Sequence, residues 1–546
     1  MVKKHQLSQQ NYNPITGEWN DSLTGEFLWS SVNTREAVPD VMTPSTWSLW
    51  QIYYVEANPV KLPGEYPFCG NICGRPYLNL SLIVSMYRAV GKDIRQEMHG
   101  DIIGSAQSDL DIPIIPFSPF SVIWMVLPGM IKARRYASRD GGVLSEFIFA
   151  TPKWCGDVCA QIPDLHDKKT LSRCWKETIK PYFAHGCNLL RSVTMQFTDP
   201  SNKLRLDLTR LVGEADANTL MSNVTANSAG LESLMPLVGL SQVARGEMSR
   251  VAYLERYGHR GPHELELFAP GSDEDPGWFE KQLADFTRSP VDVESLLADQ
   301  RSDVENVWKR FQAKHPREAQ RFQWRLGVVA AASRNREAVR SEVSRITRLV
   351  RQFLLQVGKV TEQGDGIFFL SLAEITDVLN GDNTTTACIP ARRETYQKYC
   401  ALPAYPAMII GGFDPFKWAS DPNRRSDIFD SRHAESKPTA SIIKGFAGAV
   451  GCVEGIVRRI DRMEDGNQIQ PGEILVTATT NVGWTPLFPR LAAIVTDVGA
   501  PLSHAAIVAR EMGIPAVVGC GNATMNLKTG DRVRVDGARG IVEILS

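Results

Sequence analysis

The sequence predicts a multidomain fold. A large, mainly α-helical (α+β) substrate-binding unit covers residues 1–420. A polar linker follows at 421–440, and a compact α/β domain fills 441–546. Three observations predict this division. Helical periodicity dominates from about 165 to 360. Residues 421–438 are polar and carry Pro422 and Pro438. After Phe446 the composition shifts to Gly, Ala and Val, with six short strand-like runs separated by helical segments. At about 100–200 residues per domain, the 546-residue chain has room for all of it.

Residues 1–60 mix turns with aromatics, including Trp19, Phe27, Trp29, Trp47 and Trp50. Residues 42–47 read as a helix start: Pro44 suits the first turn, and Ser45 and Thr46 offer capping hydroxyls. Residues 74–80 read as short and extended. The stretch 112–131 carries no charge and is about long enough to span a bilayer. It also holds Pro113, Pro116, Pro119 and Pro128, each of which removes a backbone donor. It therefore reads as a buried, Pro-punctuated helical hairpin, with Phe117, Phe120, Trp124 and Met125 lining an apolar substrate pocket.

The helical region includes 189–197, 231–257, 278–286 and 304–311. Residues 301–351 hold 11 Arg and 2 Lys against 5 acidic residues. Either this is a long solvated helix, or its electropositive face meets phosphate or a partner. Arg336 and Arg340 stand one turn apart there as phosphate-binding candidates. The strand-like runs of the last domain are 455–460, 473–477, 492–496, 516–518, 532–536 and 541–544.

Lys and Arg number 60 against 61 Asp and Glu, a net charge of −1. That argues against bulk binding to nucleic acid or anionic membrane, though not against a local basic patch. The polar start Met1 to Gln10 carries no secretory signal, and ten scattered cysteines read as reduced thiols, so a cytoplasmic protein is expected. Cys69/Cys73 and Cys155/Cys159 lack a compatible partner pair, and no metal site is expected from them.

The chemistry concentrates at 496–519. A buried strand ends in Asp497, and a tight turn with Gly499 and Pro501 follows. Ser503 caps a helix whose first turn holds His504, and Gly513 ends that helix. An imidazole at a helix N-terminus sits in a partial positive field that disfavours its protonation and favours an attached dianion. Such a nitrogen suits covalent phosphoryl transfer, which divides one difficult step into two.

This segment, with Gly530 to Gly540, resembles the swivelling phosphohistidine domain of the phosphoenolpyruvate-utilizing enzymes. His504 occupies the position of the family's phosphoryl carrier. The family usually has two glycines where this chain has Gly499-Ala500. Residues 38–47, 74–79, 336–340 and Tyr257 to Gly261 with Glu264 resemble the substrate-binding portion of rifampin phosphotransferase and its relatives.

The resemblance implies several roles. Ser503, Thr496, Arg75, Arg336 and Arg340 would face phosphate. Arg260 would stabilise the moving phosphoryl, and His259 or Glu264 would serve as acid–base; the alternative is a structural turn held by an Arg–Glu pair. The resemblance also implies a net reaction in which ATP, water and an acceptor hydroxyl give AMP, phosphate and an acceptor phosphate.

Only 42 residues follow His504, too few for the phosphoenolpyruvate barrel. No ATP-grasp motif is evident in the sequence. The expectation, as in phenylphosphate synthase, is a phosphotransferase subunit charged by a separate ATP-grasp protein that holds Mg2+ and ATP. The acceptor is expected to be a small, apolar or aromatic hydroxylated molecule. Two other readings stand beside it. One is an ATP-driven condensing ligase of the prodigiosin-forming kind. The other is a non-catalytic scaffold that kept the fold.

Overall fold

A computed structural model describes residues 11–545, apart from 65, 95–110, 139–141, 227–234, 289–292, 423, 433–441 and 502. Among the described residues there are two sheets and a set of long helices. Five strands form the first sheet: β1 (Leu28–Ser30), β2 (Cys69–Ile72), β3 (Arg75–Asn79), β4 (Met408–Ile410) and β5 (Ile428–Asp430), in the order β2-β3-β1-β4-β5. The extended segment expected at 74–80 is β3. β5 pairs in parallel with β4, Ile409 facing Phe429, so the sheet of the first unit runs into the stretch read as linker. Residues 433–440 of that stretch lie outside the described residues.

Helix starts follow local chemistry. Pro44–Gln51 begins with Pro44 in its first turn, and Thr43 caps it by accepting from the Thr46 amide. Ser45 and Thr46 are therefore not the cap, as the sequence suggested. The Thr46 hydroxyl instead donates to buried Glu266 at 2.9 Å. The expected hairpin over 112–131 is also corrected: Pro119–Arg135 is a single helix. Pro119 fits its first turn, and Pro128 sits on its exposed side. Gly129 lets this helix pass close to another segment, since a Cβ there would lie 2.5 Å from the Pro59 oxygen.

The Arg-rich stretch belongs mostly to one 45-residue helix, Pro316–Val360. It is not a solvated rod. Its C-terminal half packs Val339, Ile346, Val350, Phe353 and Val357 into the main core with the helices Val143–Gln161 and Lys180–Val212. Its N-terminal half joins a second cluster through Phe322, Val329 and Ala330. Arg351 meets Glu274 at 2.7 Å and the Leu267 carbonyl at 2.7 Å, pinning the loop before Pro276–Arg288.

The C-terminal sheet has eight strands: β6 (Ile442–Lys444), β7 (Phe446–Ala449), β8 (Cys452–Arg459), β9 (Ile474–Thr477), β10 (Ala493–Thr496), β11 (Ala516–Val518), β12 (Arg532–Asp536) and β13 (Ile541–Leu545). Their order is β6-β13-β12-β8-β9-β10-β11-β7. The central strands β8 to β11 pair in parallel, and β9, β10 and β11 read as unbroken apolar runs because both their faces are covered. β6 and β7 escaped the sequence reading; each is short and Gly445 separates them.

A shared core joins the two units. Leu240, Tyr253, Tyr257 and Phe279 of the first pack with Trp484, Phe488, Ala505 and Val508 of the second. Asn481 Nδ2 donates to the Pro262 carbonyl at 2.7 Å. Gly483 allows this approach, because a Cβ there would sit 2.7 Å from Pro262 Cα.

Candidate active site: a histidine facing an apolar cavity

β10 ends at Thr496, and the chain turns sharply before the helix His504–Glu511. Gly499 takes φ +152°, and a Cβ there would press on Ser503 Oγ at 3.1 Å. Ser503 caps the helix, its hydroxyl accepting from the Ala506 amide at 3.4 Å. His504 is the first helical residue, as the sequence indicated, and is 8 % exposed.

Both ring nitrogens meet threonine hydroxyls. Nδ1 lies 3.1 Å from Thr480 Oγ1, and Nε2 lies 3.3 Å from Thr485 Oγ1. Phe488 sets its ring edge-on to the imidazole, 5.9 Å away. Burial lowers the His504 pKa to about 3; Arg340 and Arg260 push it the same way, and Glu337 opposes them. The imidazole is neutral at ordinary pH, a state in which a ring nitrogen can attack phosphorus.

Across the unit boundary, the His504 backbone N–H donates to Glu36 Oε2 at 3.1 Å. Glu36 comes from the short helix Thr34–Ala37 of the first unit. Burial raises its pKa to about 7, against the lowering effect of that N–H, Arg340 and Arg336. Glu337 behaves oppositely: burial would raise it, but Arg336 and Arg340 bring it down to about 2. Arg336 Nη2 meets Glu337 Oε1 at 2.7 Å, and its guanidinium stands 4.3 Å over the Phe197 ring.

These groups share one cavity of about 910 Å³. Its polar end holds His504, Ser503, Glu36, Arg336, Glu337 and Arg340. The rest is largely apolar, including Trp50, Tyr54, Phe68, Val126, Met130 and Phe183. Ser333, Arg336, Glu337, Arg340, Val343 and Thr347 recur at helical spacing, so one face of Pro316–Val360 forms a wall. The volume suits a drug-sized molecule.

Of the sequence candidates, His504, Ser503, Arg336 and Arg340 come together here, and Ala500 lines the same cavity. Phe117, Phe120, Trp124 and Met125 do not. Their helix is the right one, but Val122, Ile123, Val126, Leu127 and Met130 reach the cavity, while Phe120, Trp124 and Met125 are exposed. Phe117 packs edge-on against Tyr66. Aromatics were expected to point inward, and the helical phase puts aliphatic residues and Met130 there instead.

Arg75 is also elsewhere: it donates to the Pro39 carbonyl at 2.6 Å and covers the Tyr405 ring. Thr496 is fully buried beneath the turn and does not line the cavity. Arg260, His259 and Glu264 lie behind the wall. Arg260 Nε is 2.8 Å from Glu264 Oε2, and Glu264 Oε1 is 3.5 Å from Arg340 Nη2. Glu264 thus stands between the two arginines and positions Arg340. His259 Nε2 lies 3.0 Å from Ser341 Oγ, and burial, with Arg345 and Arg260, keeps it neutral. The sequence reading missed Glu36, Glu337, Thr480 and Thr485. Glu36 sits in a four-residue helix too short for any periodic signal; Thr480 lies in a loop, and Thr485 in the Pro-punctuated 3-10 helix Val482–Arg490.

Residues 469–540 match the family described as the mobile domain of PEP-utilising enzymes. The match lies within the C-terminal domain, which is similar to that family over these residues. The chain is similar to a rifampicin phosphotransferase of Streptomyces sviceus, 29% identical over 65% of this chain and 41% of that protein. A prodigiosin synthesizing transferase of Serratia marcescens is 24% identical over 96% of this chain and 64% of its own length. A rifampicin phosphotransferase of Bacillus cereus is 36% identical over 34% of this chain and 20% of that protein. The chain spans less than two thirds of each of these relatives.

Proposed function

We propose that this chain carries a phosphoryl group on His504 and delivers it to the hydroxyl of an apolar or aromatic acceptor. One observation carries the reading: a neutral imidazole at a helix start opens onto the polar end of a large apolar cavity. The similarity to rifampicin phosphotransferases supports it.

In the transfer step the P–N bond to His504 breaks, and its electron pair returns to the imidazole. The acceptor oxygen forms the new P–O bond, and its proton passes to Glu36. Arg340 and Arg336 offset the charge that builds on the phosphoryl oxygens. Thr480 and Thr485 hold the ring in one orientation. Arg260 and Glu264 act through Arg340 rather than on the acceptor.

The phosphoryl group derives from ATP with Mg2+ on a separate ATP-grasp protein. Among the described residues no group of three or more His, Cys, Asp or Glu side chains could hold a metal ion.

Intact-mass spectrometry at alkaline pH tests the reading. The chain is incubated with Mg-ATP, with and without an ATP-grasp protein. An acid-labile phosphoryl adduct that His504→Ala abolishes is the expected result. Absence of any adduct with a bound ATP-grasp protein present would defeat it.

The similarity to the prodigiosin synthesizing transferase over 96% of this chain favours a second reading. In that reading the phosphorylated oxygen of one substrate leaves as two molecules are joined. A stable phosphoester product supports transfer; a joined product with free phosphate supports condensation.

A further inference from the structure

The helix Pro119–Arg135 carries an apolar stripe that the proposed chemistry leaves unused. Phe120, Ile123, Trp124, Leu127 and Ile131 recur every three or four residues and so share one face. They are 72, 50, 73, 49 and 45 % exposed. The Phe120 and Trp124 rings stack at 5.9 Å, so the surface is a continuous aromatic ridge. The opposite face, through Val122, Val126, Gly129 and Ala133, is buried.

Charge is distributed along the same helix in one sense only. It has no acidic residue, and its last turn holds Lys132, Arg134 and Arg135. Arg134 and Arg135 continue the spacing of the exposed stripe, and none of the three bases has an ion-pair partner among the described residues. The helix does not meet the length and hydropathy needed to cross a membrane. Two stripe residues, Ile123 and Leu127, also line the cavity. The ridge and the cavity are thus one continuous apolar surface.

We propose that this helix lies flat on an anionic lipid surface. Phe120, Trp124 and their neighbours enter the acyl boundary, while Lys132, Arg134 and Arg135 reach the lipid phosphates. A protein partner would need its own acidic and apolar pattern, whereas an anionic bilayer supplies both chemistries at the required separation. The arrangement places the cavity beside the depth at which an apolar acceptor dissolves. The lipid contact itself does not depend on the transfer reading.

The test is co-flotation of the full chain with vesicles. Equal parts phosphatidylcholine and phosphatidylglycerol are compared with phosphatidylcholine alone. Binding is expected to the anionic vesicles and to weaken with salt. Trp124→Ser with Phe120→Ser should lower the vesicle-bound fraction about tenfold or more, and Arg134→Glu with Arg135→Glu should do the same. The second pair alters only exposed charges, so it answers the question even if the first pair unfolds. Equal binding to both vesicle types, or none, overturns the proposal. So does a lipid-free dimer that the Phe120 and Trp124 substitutions dissociate, which would assign the ridge to a second copy of the chain.

Discussion

The backbone N–H of His504 donates to the Glu36 carboxylate at 3.1 Å, linking positions 468 residues apart in two structural units. A mobile domain that parts from the first unit must break this bond. Only the docked state therefore holds the carboxylate against the helix start that carries the imidazole. Glu36 and His504 meet only when the C-terminal domain is seated on the first unit.

Replacing Glu36 tests that coupling. Its pKa is raised by burial to about 7, so the carboxyl is mainly protonated below that pH and cannot take a proton. Transfer from preformed phosphohistidine is expected to rise with pH through about 7. Glu36→Gln keeps the bond to His504 N–H but should slow transfer about 100-fold or more and flatten that rise. Because the folded pKa is raised, ionising Glu36 also costs stability, and that cost grows between its ordinary pKa and about 7. Single-turnover rates of the wild type and Glu36→Gln, charged beforehand, provide the check. An unchanged pH profile would exclude Glu36.

His263 fastens the two units in a different way. Nδ1 lies 2.8 Å from Asp40 Oδ2 of the first unit, and Nε2 lies 3.0 Å from Glu464 Oε1 of the C-terminal domain. Burial alone would lower its pKa, but the two carboxylates raise it to about 10. Arg462 also pairs with Glu464, at 3.4 Å, and Lys281 donates to the Glu464 carbonyl at 2.7 Å. A raised pKa means that the imidazolium favours docking fully below its ordinary value, and that this support fades as pH rises toward about 10. Small-angle scattering should show the chain expanding across that interval. His263→Gln should be more extended near neutrality and lose the transition.

Gly483→Val addresses docking without touching the cavity. The new side chain would meet the Pro262 backbone, which cannot yield as a flexible side chain would. Acceptor phosphorylation should fall severalfold while formation of the His504 adduct persists. Loss of both would indicate damage to the mobile domain itself.

Arg260→Met probes the charges behind the cavity. Arg260 and Glu264 are nearly fully buried and 2.8 Å apart, so removing the arginine leaves a carboxylate with only Arg340 near it. A cost of about 3–5 kcal/mol is expected in denaturant unfolding. Adding Glu264→Leu should restore most of it, since replacing both members of a buried pair is far less costly than orphaning one. Recovery of less than half would point to a wider role for Glu264.

Much of this was legible in the chain. The run from 492 to 519 encodes strand, turn, cap and helix in adjacent residues, so Ser503 and His504 fall where local chemistry puts them. Arg336 and Arg340 were legible because helical spacing is a local property. Glu36, Thr480 and Thr485 were not, for their meaning lies in what they face across the unit boundary.

By itself, then, the sequence determined the helical and α/β character of the two units, the capped helix start and the place of His504 in its first turn. These follow from short-range rules of periodicity, capping and turn geometry. Only the tertiary structure decided which face of Pro119–Arg135 turns inward, that Arg75 supports a loop while Arg340 faces the cavity, and that Glu36 meets His504. Helical spacing fixes which residues share a face, but the choice between faces depends on packing against segments distant in the chain. Contacts such as Gly129 on Pro59 and Gly483 on Pro262 exist only after those segments meet.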